Sequence, residues 1–270
     1  MNKTTRWLLA ATLLGATVIV LYLWHQSTLP EPQLLYPVEA PTSPAAVVAE
    51  SKSEPAIRYP IQESQAPQAE SKTLPALTAS DPAIWDALIA LFGQTPVQQL
   101  FHPQEIVRRI VVTVDNLPRQ SAAARLLPIK PVDGKFRTAG QAENLAIAPE
   151  NAARYTRYVD LAEMTDAGKF VALYVRYYPL FQRAYQDLGY PNGYFNDRLV
   201  AVIDHLLAAP EVDAPVALVQ PHVLYELADP GLQTRSAGHK ILVRMGSKNA
   251  ARIKAKLREI RAALVGGIPK

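Results

Sequence analysis

Asp160 and Glu163 stand three residues apart and Asp197 and Asp204 seven apart, the pairings in this chain most suited to acid–base chemistry. Glycosidic hydrolysis places two carboxylates roughly 5–9.5 Å from one another. On a helix, Asp160 and Glu163 share a face and can meet, whereas seven residues rise about 10 Å, at or beyond that range. The helix from Asn196 would also bury Leu199, Ile203 and Leu206 and turn Asp197 and Asp204 to solvent. Neither pair has a nucleophile, metal ligand or proton-transfer partner beside it, so no residue earns a catalytic assignment. His25, His102, His205, His222 and His239 are scattered, none three or four residues from another. Each histidine past the N-terminal run reads as a surface or capping residue, because a metal or base would need partners from distant segments. Cysteine is absent, which excludes disulfides, thiolate metal sites and a cysteine nucleophile. The G-x-S-x-G elbow, the P-loop, G-x-G-x-x-G and H-E-x-x-H are absent as well. The expectation is no metal and no cofactor.

Binding chemistry has better material. The stretch "GYPNGYFNDR", residues 189–198, offers Tyr190, Tyr194, Asn196 and Arg198 as candidate binding residues. Upstream, Tyr174, Tyr178, Phe181, Tyr185 and Leu188 fall on one helical face, with Lys169, Arg176 and Arg183 roughly opposite. Such a face is a tyrosine-rich core stripe, or a groove whose rings stack on sugar or peptide. From Arg235 to Arg261 nine Lys or Arg accompany a single acid, Glu259. Lys254, Arg258 and Arg261 flank the stripe Ile253, Leu257, Ile260 and Leu264 on one side: either the helix docks on the domain with these long side chains reaching outward, or they are candidate contacts for an anionic surface of lipid headgroups or an acidic envelope polymer.

The elements that must hold these residues are mainly helices. "SDPAIWDALIALFG" reads as a helix capped by Asp81, with Pro82 in its first turn and Gly93 past its end. Pro96, Pro103 and Pro149 mark further starts, and "MTDAGKFVALYVRYYPLFQRAYQDLGY" runs from Thr165 to Gly189 with Pro179 inside it. "ADPGLQTRSAGHKILVRMG" repeats the Asp-Pro device and ends at Gly246. In "GYPNGYFNDR", Gly189 ends one helix in the left-handed conformation, Pro191-Asn192-Gly193 turns with Gly or Asn at positive φ, and Asn196 caps the next helix. Tyr190, Tyr194 and Phe195 staple the two helices, and only Arg198 lacks a structural reason. "GKFRTAGQAENLAIAP" predicts a small hairpin around Phe136 and Leu145, and "PVALVQPHV" a further strand or extended leg. The expected fold is a mainly α, compact multi-helix domain with a small β-hairpin.

Residues 7–24, "WLLAATLLGATVIVLYLW", carry no charge and would span roughly 27 Å as a helix, close to a bilayer core of about 30 Å. Trp7, Tyr22 and Trp24 suit the interfaces, and Lys3 and Arg6 precede the run while no Lys or Arg follows until Lys52. The bulky "LYLWHQSTLPEP" offers no small-residue cleavage site, so the run reads as an uncleaved anchor. Residues 1–6 are then cytoplasmic, and the remainder is exported. Residues 25–74, rich in Pro, Ala, Ser, Gln and Glu, read as a disordered tether about 40 Å between ends as a coil and on the order of 150 Å when extended. The domain occupies residues 75–265, with a tail at 266–270.

From "DNLPRQ" onward, "RLLP", "FQRAYQDLGYPNGYFNDRLVAVIDHLLAAP", "LYELADP" and "RMGSKNAARIKAKLREIRAAL" resemble the bacterial domain-of-unknown-function 3014 family. The likeness covers nearly all of residues 75–265. It implies a Gram-negative inner-membrane protein facing the periplasm, and it brings no activity, ligand or site residues. The expectation is a non-enzymatic, membrane-tethered domain that binds or positions an envelope component, protein or glycan. A periplasmic hydrolase of envelope polymers is the alternative. Nucleic acid is not an expected partner, because the topology keeps the domain away from it.

Overall fold

Helix-starting chemistry recurs along the chain, but the carboxylates do not always cap the helix they precede. The computed structural model describes residues 56–61, 74–141 and 144–266, which lie in one compact unit spanning residues 52–270. The expected anchor at 7–24 and the expected tail at 266–270, apart from Gly266, lie outside the described residues, as does the tether apart from 56–61 and Leu74. No helix among the described residues is long and apolar enough to cross a membrane.

Helix α1 runs Asp81–Phe92, α2 Gln94–Leu100 and α3 Ile106–Asn116. Asp81 was expected to cap α1, but Ser80 holds that place and the Asp81 carboxylate accepts the Glu105 and Ile106 N–H groups at 2.7 and 2.9 Å. It therefore satisfies the start of α3, where Glu105 takes a left-handed φ of 53°. Pro103 precedes that helix without starting it. The hairpin follows as β1 Thr138–Ala139 and β2 Ala146–Ile147, antiparallel with Thr138 opposite Ile147.

Helix α4 spans Asn151–Met164, α5 Ala167–Asp187 and α6 Phe195–Leu207. Asp166 caps α5 by accepting the Lys169 N–H at 2.7 Å, and Pro179 sits exposed within an uninterrupted helix. Strands β3 Leu218–Val219 and β4 Glu226–Leu227 form a second antiparallel pair, joined to the first through Ala146 opposite Ala217. "PVALVQPHV" thus supplies a strand, and "LYELADP" supplies its unforeseen partner.

The single helix expected from Asp229 to Gly246 is two. Asp229 caps the four-residue α7 Pro230–Gln233, and Ser236 caps α8 Ala237–Arg244 through the His239 N–H. Helix α9, Ser247–Gly266, closes the fold. The main core lies among α1, α3, α5, α6 and α9, and includes Val107, Val111, Tyr174, Phe181, Phe195, Val200 and Leu264. The tyrosine face of α5 is core: Tyr174, Tyr178, Phe181 and Tyr185 are buried, and Leu188 alone is exposed. Among the described residues the fold is mainly helical with two small two-stranded sheets.

Candidate functional site

The carboxylates that first invited a catalytic reading are all engaged. Arg252 lies between helices α4 and α9, its Nη2 2.6 Å from Asp160 and its Nε 3.0 Å from Glu163. The hydrogen bond from Arg252 holds the Glu163 carboxyl below its ordinary range despite partial desolvation. Asp204 receives Arg261, with Nη2 at 3.1 Å, so Arg261 joins α9 to α6 and is not a free cation. Lys254 corrects the basic-surface expectation most sharply. It is 5% exposed, and its Nζ donates to the Ala209 carbonyl at 2.7 Å, with Glu211 3.8 Å away. The buried sector of α9 is wider than the stripe Ile253–Leu257–Ile260–Leu264 and passes over Lys254. Arg258 remains exposed and forms no ion pair among the described residues.

The 189–198 stretch is a corner, and it binds a piece of its own chain. Gly189, at φ 115°, ends α5 with paired bonds from its N–H to Gln186 and from the Tyr190 N–H to Tyr185. The turn closes through Gly193 N–H to the Tyr190 carbonyl at 3.0 Å, but neither Asn192 nor Gly193 has positive φ. Glycine is needed at 193 for space: a Cβ there would meet Tyr185 at 2.8 Å and Tyr190 at 3.0 Å. Tyr190 stacks on Tyr185 at 4.5 Å, and Phe195 stacks on Phe181 at 6.0 Å, so the expected staple is present. Gln182, which sequence reading passed over, pins the corner by donating to the Gly193 carbonyl and accepting the Phe195 N–H.

Asn196 is not the cap of α6, because the helix already begins at Phe195; it is fully buried inside the first turn. Its side chain accepts from the Tyr174 hydroxyl at 3.2 Å and donates to the Tyr59 carbonyl at 2.8 Å. Asp197, expected to face solvent, accepts the Arg58 and Tyr59 N–H groups at 2.9 and 2.8 Å, and the Tyr194 hydroxyl accepts the Ile61 N–H at 2.7 Å. Residues 56–61, inside the expected tether, are thus held on the corner by four main-chain hydrogen bonds. Arg198 also has a structural partner. Its Nη2 donates to the Asp115 carbonyl at 2.8 Å and sits 3.0 Å from Asp115 Oδ1. That second contact is an ion pair without a hydrogen bond, and Asp115 Oδ1 and Arg198 Nε are both buried without a hydrogen-bond partner. Arg119, at 2.5 Å, and the Tyr190 hydroxyl, at 3.3 Å, serve Asp115 Oδ2.

Two histidines far apart in sequence meet here. His205 and His239 stack with ring centroids 4.2 Å apart. His205 Nε2 lies 2.8 Å from Ser236 Oγ, and His239 Nε2 lies 2.7 Å from the His205 carbonyl. Burial first, then His239 and Arg198, hold His205 below the usual imidazole value. Ser236 is buried and its hydroxyl already caps α8, and among the described residues no carboxylate is bonded to His205 to orient it as a base. No group of three or more metal-binding side chains occurs among the described residues.

The strongest ligand-sized feature was invisible in the sequence. A cavity of about 210 Å³ lies within the helical core, lined by Ala87 and Leu88 of α1, Ile110 of α3, Leu173 of α5, Leu199 of α6 and Leu257 of α9. Tyr174 and Tyr177 also line it, but their hydroxyls turn away to Asn196 and to the Ala83 carbonyl. What faces the cavity is therefore hydrocarbon. Burial holds the Tyr174 phenol well above its usual value, so it stays neutral.

A family model described as "Protein of unknown function (DUF3014)" matches residues 106–261, more than half of the chain. The match covers both the "DNLPRQ" segment that carries Asp115 and Arg119 and the corner that carries Tyr190 and Arg198. No curated protein and no solved structure matches the chain.

Proposed function

The chain belongs to the DUF3014 family, and we propose that it is a non-enzymatic binding protein, anchored in a bacterial inner membrane by residues 7–24. Its N-terminus lies in the cytoplasm and its helical domain in the periplasm, where the domain binds or positions a component of the cell envelope. The observation that carries this reading is the apolar cavity, since bundles place ligand sites between facing helices. A sugar would leave its hydroxyls without partners there, so the component offers an apolar group to the domain. The hydrolase alternative draws no support from Asp160 and Glu163, both of which are paired with Arg252.

The test is thermal unfolding of the full-length protein in lipid nanodiscs, with benzene as the probe. An apolar cavity of about 150 Å³ is enough to take up benzene. Wild-type protein should show a saturable rise in unfolding temperature, and Ala87→Phe, which fills the cavity from α1, should show none. Equal responses from both proteins would sink the binding reading.

A further inference from the structure

Resting on that reading, we infer that the cavity receives the end of an unbranched alkyl chain, of roughly six to eight carbons within the protein, belonging to an amphiphile whose polar end stays outside. Three observations converge on this class. The lining presents no hydrogen-bonding group to the space, so the enclosed part of the ligand carries none. The volume of about 210 Å³ exceeds the ~150 Å³ that holds benzene, which leaves room beyond a six-carbon ring.

The third observation is the position of the mouth. Helices α1 and α9 both line the cavity, yet they are not among the helix pairs that pack closely on one another. Half-buried lining residues stand on both helices that flank this gap, Ala87 on α1 and Leu257 and Ile260 on α9, as they do on α3, α5 and α6 at Ile110, Leu173 and Leu199. Val114, Phe181, Phe195 and Ile203, also in the lining, are buried. A space flanked by a gap between two helices admits a chain end-on and leaves its remainder in solvent. A compact ring would instead need to be swallowed whole.

The experiment is photolabelling of the full-length protein in nanodiscs with octanol carrying an aliphatic diazirine near its methyl end. Insertion is then mapped by peptide mass spectrometry. Insertion should concentrate on the segments holding Ala87, Leu173 and Leu257, and excess unlabelled octanol should suppress it. Ala87→Phe should cut it about tenfold, the effect of losing some 1.4 kcal/mol of binding. Ile260→Trp, which narrows the gap from α9, should cut it too and guards against a folding defect in the first variant. If benzene stabilises the protein but the octyl probe inserts elsewhere, the cavity binds and the alkyl assignment is overturned. If neither probe finds the cavity, the assignment and the binding reading fall together.

Discussion

Asp115 shows how a side chain's role is set by what reaches it. It is 3% exposed, and two guanidiniums and a phenol from separate elements converge on it. Arg198, the corner residue without a local reason, owes its place to this acid 83 positions away. Removing one partner of a buried pair costs more than the pair itself contributes, because the remaining charge is left desolvated. His205 extends the same polar region. Its folded-state pKa is depressed, so the unfolded chain binds more protons than the folded one below about pH 6.5. Stability should therefore fall as pH drops from about 6.5 through the lower folded value. Urea titrations at pH 7.5 and pH 5 should show a larger loss for wild type than for His205→Asn. An unchanged difference in the variant would mean another group carries the acid sensitivity.

Among the elements, the joints reveal more than the helices do. Helix α8 enters so close to α3 that the Ala237 and Gly238 N–H groups donate to the Arg119 and Leu117 carbonyls at 2.6 and 2.9 Å. A Cβ on Gly238 would lie 2.4 Å from Leu206 Cδ2 and 3.2 Å from the Leu117 carbonyl oxygen. The flexible leucine tip can move, but the carbonyl belongs to the joint itself. Gly238→Val should thus cost about 1–3 kcal/mol by overpacking, read as a lower denaturant midpoint. Gly266→Ala, where a Cβ meets nothing within 4 Å, should stay within about 0.5 kcal/mol of wild type. Equal effects would show that the close approach of α8 is not what requires glycine.

At the scale of the whole molecule, the docked segment 56–61 adds residues well ahead of α1 to the packed part of the chain. Asp197 takes two of its N–H groups, and hydrogen bonds to a charged acceptor are worth about 1.5–3 kcal/mol each. Asp197→Asn should release the segment, so trypsin should cut after Arg58 faster in the variant than in wild type. Equal cleavage rates would show that Asp197 does not hold it. Much of the architecture was legible without coordinates. The Asp229 cap, the Gly189 helix end and the tyrosine stripe of α5 express energies that act over three or four residues, so spacing alone reveals them. The burial of Lys254, the use of Asp81 by a helix 25 residues on, the meeting of His205 with His239 and the capture of residues 56–61 have no such local signature. The cavity has none either, because a void is the difference between what five helices could fill and what their side chains do fill. Local free energies determined the helices and their ends; complementarity between residues distant in the chain decided which charges are spent, which face is buried and where a ligand finds room.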